Sequence, residues 1–184
     1  MRARHTHSPI PKKGLLAGYA RADGGAAAVE FAMIALPLLA LITGIIELAL
    51  IFLISSTLET SMEKMSRTIR TGTFQGANLG AADLKASICS NLGWLQSDCM
   101  ANLYLDVRTY GQFSDIAQVN PVTNGQFDAT KLQFQTGQAS TIEVVHAYYV
   151  WSLITPAFNG GLQTISGGKT LIQATTAFRN EAYG

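Results

Sequence analysis

Charge is scarce in this chain: Lys, Arg, Asp and Glu make up 14% of its 184 residues, against 48% hydrophobic ones. So apolar a balance argues against disorder, and a formal net charge of +1 argues against a globally basic nucleic-acid binder. Cysteine is scarcer still, with Cys89 and Cys99 alone, and the three histidines (His5, His7, His146) are not spaced to complete a tetrahedral zinc site with them. The sequence also lacks a glycine-rich phosphate loop and a nucleophile elbow, and residues 72–184 show no internal repeat. Neither a cofactor, nor a nucleic acid, nor a small-molecule substrate is therefore expected, and catalysis is not.

What the chain does have is one long apolar run. Phe31 to Ile54 reads FAMIALPLLALITGIIELALIFLI, with Glu47 as its one charge and Pro37 as its one proline. At 1.5 Å per residue it covers roughly 36 Å, enough to cross a hydrocarbon core of about 30 Å with some tilt. Beyond it Leu58, Met62, Met65 and Ile69 recur at helical spacing, while Glu59, Glu63, Lys64, Arg67 and Arg70 make the other face polar. An unbroken helix from about Ala26 to Arg70 is expected, ending before Gly72, Gly76 and Gly80. Ahead of the span, Arg2, Arg4, Lys12, Lys13 and Arg21 face Asp23 alone. This basic leader predicts that residues 1–25 stay in the cytoplasm and residues 72–184 lie outside. Cys89 and Cys99, with nine residues between them, then face an oxidising compartment and are expected to form a short-loop disulfide, two buried free thiols being the alternative.

Glu47 needs a reason, because a lone carboxylate inside a membrane helix costs about 2.5 kcal/mol or more. With Ala40, Thr43 and Gly44 it forms a small, polar stripe at i, i+3, i+4 and i+7. Such a stripe lets another helix approach closely and offers the carboxyl group a partner; the alternative is a side chain that is protonated or reaches the outer headgroups.

Glu30, at the near edge of the span, reads either as a solvated headgroup-level carboxylate or as part of a processing motif. A cut after Gly25 leaves the new amino group of Ala26 one helical turn from Glu30, with Phe31 next and the apolar helix following. This G-x-x-x-x-E-[FY] arrangement, Gly25 to Pro37 (GAAAVEFAMIALP), resembles that of Flp-type prepilins and particularly the TadE-like minor pseudopilins of the tight-adherence (Tad) pilus system. The tail Arg179-Asn180-Glu181 is similar to that family's C-terminal Arg-Asn-Glu-Pro pattern, with Ala182 in the proline's place. The resemblance implies cleavage by a prepilin peptidase and a minor role in pilus biogenesis beside other pilins and pseudopilins. It also implies anchorage in the bacterial inner membrane with a periplasmic C-terminal domain, and leaves open a place in the filament, at its tip or at its base. The competing reading is an uncleaved, single-pass binding or sensor module.

The expected architecture is α+β, with a long N-terminal helix (26–71) continuing into a small antiparallel domain (72–184). Leu84, Ile88 and Leu92 predict a short helix over 81–92, with Cys89 beside its apolar face. Alternation predicts strands around 103–108, 142–150 and 172–178, and Asn120-Pro121 and Asn124-Gly125 signal turns within 113–137. Pro156, Asn159-Gly160-Gly161 and Gly167-Gly168 mark a long connection between the last two strands. In this reading Ile142, Val144, His146, Tyr148 and Val150 line one face, while Asp106 and Glu143 point outward into solvent. His146 is expected to be a satisfied core or interface residue, and Tyr148, Tyr149 and Trp151 are expected to pack in the core.

Overall fold

The computed structural model describes residues 24–156 and 160–182. The basic leader, with Arg2, Arg4, Lys12, Lys13, Arg21 and Asp23, lies outside the described residues, as do Asn159 and Tyr183. One helix, α1, runs over Gly24–Arg70. It stops where expected, at Arg70, because Gly72 turns the chain with a φ of 75°, which a residue bearing a Cβ rarely adopts. The chain divides into two compact units, Met1–Ile42 and Thr43–Gly184. Among its described residues the first unit is the leading part of α1, and its large side chains are exposed: Phe31 and Met33 at 73%, with Ile34, Leu38 and Leu41 above half.

The second unit contains the remainder of α1 and everything after it. Short helices α2 (Thr73–Gly76), α3 (Ala81–Ser90) and α4 (Gln96–Asn102) lead into strand β1 (Leu103–Tyr110). A small hairpin, β2 (Val122–Thr123) and β3 (Gln126–Phe127), turns at Asn124-Gly125, where both residues have positive φ. The long strands β4 (Ile142–Ser152) and β5 (Lys169–Arg179) complete a three-stranded antiparallel sheet ordered β1-β4-β5. The α+β class and the three long strands match the expectation; α4, which carries Cys99, was not foreseen.

The helical stripe predicted after the span is the helix's contact with the sheet. Ile54, Leu58, Met62 and Ile69 share one core with Val107 of β1, with Val145, Ala147, Tyr149 and Trp151 of β4, and with Ile172 and Ala174 of β5. Met65 packs against its margin. A fully buried leucine such as Leu58 stabilises by roughly 2 kcal/mol, so this stripe fastens the C-terminal half of α1 to the domain. Hydroxyls at Thr57, Thr60 and Ser61 bond back to carbonyls four residues earlier, which satisfies them within the helix.

The sheet corrects one expectation. Val144, His146 and Tyr148 do share one face of β4, and the face that meets the helix carries Val145, Ala147 and Tyr149. The first face is covered as well: Phe127 lies against Tyr104 and Tyr148, and the Tyr148 hydroxyl donates to the Val119 carbonyl. With β4 central and both faces covered, alternation does not separate inside from outside. Asp106 and Glu143, expected in solvent, are accordingly fully buried. Tyr148, Tyr149 and Trp151 are all buried, as expected.

Cys89 of α3 and Cys99 of α4 are joined, with their Cα atoms 5.5 Å apart. Both are fully buried in the core, so the bond ties the two short helices to each other beneath α1. Serine at both positions should lower the unfolding free energy of the detergent-solubilised chain by about 2–3 kcal/mol, on the chain-entropy account of a short loop. Urea titration checks this; coincident midpoints for the variant and the oxidised protein would contradict it.

Candidate functional site

The prepilin-like motif lies on the first turns of α1. Ala26 and Glu30 are one helical turn apart, and Ala26 to Phe31 are all exposed. A Cβ placed on Gly25 would meet no atom within 4 Å, so the glycine is not dictated by packing in this chain. The Gly25–Ala26 bond lies within the helix rather than in an extended stretch ahead of it. The motif is therefore an accessible surface carrying a small residue, a carboxylate and an aromatic ring. Downstream, α1 is long and apolar enough to cross a membrane.

Glu47, by contrast, is 1% exposed. Its carboxylate accepts the backbone N–H of Ile154 at 2.5 Å, the backbone N–H of Thr155 at 3.2 Å and the Thr155 hydroxyl at 2.8 Å. Those donors belong to the β4–β5 connection of the same chain. Thr43 joins Glu47, Ile46, Ile154 and Thr155 in lining a small pocket there. The Glu47 end of the Ala40, Thr43, Gly44 and Glu47 stripe thus meets its own domain, through a partner 107 residues away that no local pattern could signal.

A second fastening lies at the other end of the helix's packed stripe, where the C-terminal Arg179-Asn180-Glu181 returns to it. Asn180 is 2% exposed, and its side-chain N–H2 donates to Glu143 Oε2 at 3.2 Å and to the Gln138 carbonyl at 3.1 Å. The Gly137 N–H donates to the same Glu143 oxygen at 3.0 Å, and the Gln75 amide donates to the Gly137 carbonyl at 3.4 Å. Next to Asn180, the Glu181 N–H donates to the Arg70 carbonyl at 2.9 Å and the two side chains form an exposed ion pair at 3.4 Å. A backbone donor from the tail therefore satisfies one of the orphan carbonyls at the C-terminus of α1. The tail pattern noticed in the sequence has a structural task here, clamping the strand end to the helix end.

Burial pushes the Glu143 carboxyl above the ordinary carboxylate range, while the hydrogen bonds from Gly137 and Asn180 pull the other way. Among the described residues one of its oxygens, Oε1, has no hydrogen-bond partner. Because the folded-state value is raised, Glu143 supports folding most fully at acid pH, and that support is lost as pH rises past about 4.5 and through the folded-state value. Glu143→Gln should flatten this part of the stability–pH profile. Parallel profiles of melting temperature for variant and wild type would contradict the assignment.

The remaining polar residues serve the sheet. Asp106 accepts the Arg108 side chain at 2.9 Å and the Gln133 N–H at 2.7 Å, pinning the 113–137 segment to β1. His146 shares a 2.8 Å hydrogen bond with the Thr175 hydroxyl, and burial lowers its pKa. It is a satisfied residue of the covered face, as expected. Among the described residues no cluster of three or more His, Cys, Asp or Glu is arranged to hold a metal ion.

Residues 25–62 match the family described as TadE-like protein. No curated protein and no solved structure gives a significant match to the chain.

Proposed function

We propose that this chain is a minor pseudopilin of a Tad/Flp-type pilus, cut between Gly25 and Ala26 by a prepilin peptidase. The observation that carries the reading is the TadE-like match over residues 25–62, which covers the Gly25, Glu30 and Phe31 motif and the span together. The exposed surface of that stretch supports it, since both a peptidase and neighbouring helices need access. Residues 1–25 form a cytoplasmic leader that is removed. Residues 26–71 form the helix that crosses the bacterial inner membrane over about 31–54, and residues 72–184 form a periplasmic domain.

In the assembled state the Ala26 ammonium is neutralised by Glu30 of its own or a neighbouring chain. Within a low-dielectric helix bundle such a charge-assisted pair is stronger than its exposed counterpart, although desolvation offsets much of the gain. Other pilins and pseudopilins approach along Ala40, Thr43 and Gly44, where small side chains let backbones come close. Glu47 serves this face indirectly, by holding the chain's own loop against the helix.

Gly25→Trp tests the processing step without disturbing the fold, because that position has open space. In cells carrying the peptidase the variant should stay in the membrane, heavier than the mature wild type by the whole leader. A variant that matures normally would show that the cut lies elsewhere.

A further inference from the structure

Glu47 stands seven residues before the end of the apolar run at Ile54, about 10 Å inside it at the helical rise. The loop it holds reaches that level too. Ile154, whose N–H bonds the carboxylate, is itself 62% exposed, and Leu48, Phe52 and Leu53 of α1 are exposed at 56%, 76% and 55%. Nearer the end of the run, the Gly93–Leu95 turn comes down beside the helix: Asn91 to Leu95 line a groove with Leu53, Ile54 and Thr57. Trp94, in that turn, is 72% exposed. Two loops from different parts of the domain thus present a large apolar side chain outward at the level where the helix is still apolar.

We propose that these loops rest in the lipid of the membrane leaflet on the domain's side, with Trp94 at headgroup level and the Ile154-Thr155 loop dipping below it. The proposal rests on the reading of α1 as a membrane span. Three physical requirements select lipid as the occupant. Backbone N–H groups below the headgroups must be satisfied within the protein, and Glu47 accepts those of both Ile154 and Thr155. A carboxylate in the apolar run must be wrapped, and the same contacts wrap it. Tryptophan favours the boundary between hydrocarbon and water, which is where the run ends. Glu47 is then the post that allows irregular backbone to enter the leaflet, and the domain sits down on the bilayer instead of standing off it.

Tryptophan quenching by brominated lipids tests this on the full chain in phosphatidylcholine vesicles, with bromine placed at shallow or deep acyl positions. Trp151 is 8% exposed and stays in every variant as an internal reference, so the core is unaltered. Wild type compared with Trp94→Phe isolates Trp94; Ile154→Trp and, separately, Leu41→Trp are placed in the Trp94→Phe background. The expected result is loss of Trp94 fluorescence mainly to shallow bromine, and loss at position 154 to deeper bromine than for Trp94. If Leu41→Trp is quenched while position 94 or 154 behaves like Trp151, the loops stand clear of lipid and the proposal falls, with the span intact. If Leu41→Trp is not quenched either, the membrane reading falls and takes the proposal with it.

Discussion

Asn180→Ala is expected to lower the unfolding free energy by about 3 kcal/mol, more than loss of the disulfide at the lower end of its range. The magnitude follows from what the truncation leaves behind. Glu143, fully buried, keeps the Gly137 N–H and loses the Asn180 amide, while the Gln138 carbonyl loses a donor at the same time. Leaving a buried hydrogen-bonding group without its partner costs about 1–3 kcal/mol, more for a charged one, and here a buried carboxyl group and a carbonyl lose a donor together, which brings the figure to about 3 kcal/mol. Asn180→Asp should be worse and strongly pH-dependent, since it sets a second carboxyl group against Glu143. Glu181→Ala is the control: its ion pair with Arg70 is about half exposed on both sides and is worth at most about 1 kcal/mol. Denaturant unfolding of the detergent-solubilised chain separates the two, and equal losses for Asn180→Ala and Glu181→Ala would contradict the clamp.

Glu47→Leu should release the β4–β5 connection while leaving the helix better suited to lipid. The substitution keeps the volume roughly but abandons two backbone N–H groups and one hydroxyl. Each orphaned donor costs about 1–3 kcal/mol, and the loop will move to find other partners rather than bear the whole sum. A net loss of about 2 kcal/mol locally corresponds to roughly a thirtyfold fall in amide-exchange protection at Ile154 and Thr155. Protection in the packed stripe around Leu58 and Met62 should be unchanged. Unaltered exchange at Ile154 and Thr155 would show that the carboxylate does not hold the loop.

The helix and the three long strands were legible because each carries its own period. The apolar run and the stripe at Leu58, Met62 and Ile69 needed nothing from the rest of the chain to be read. The short helix Gln96–Asn102 was not legible, since seven residues with the consecutive Cys99, Met100 and Ala101 as its apolar members make no period. Alternation located β4 and grouped Val144, His146 and Tyr148 on one face, but it left the opposite face to solvent: Val145, Ala147 and Tyr149 are covered as well in a central strand. Glu143 and Asp106 read as solvated for the same reason, as burial of a carboxylate depends on donors brought from Gly137, Asn180 and Gln133. At the candidate site, the spacing of Gly25, Ala26, Glu30 and Phe31 was plain in the sequence, because motif and helix are both local. The tail pattern at Arg179-Asn180-Glu181 was visible, but its partner at Arg70 was not, as only folding brings the two together.

The mature N-terminus is the measurement that bears most directly on the pseudopilin reading. The protein would be purified from the envelope of cells that carry a prepilin peptidase, and its intact mass and terminal residue determined. A chain beginning at Ala26, with Glu30 one turn away and Cys89 and Cys99 still joined, is the predicted result. A chain that retains Met1 under those conditions would contradict the account and leave the uncleaved, membrane-anchored module in its place.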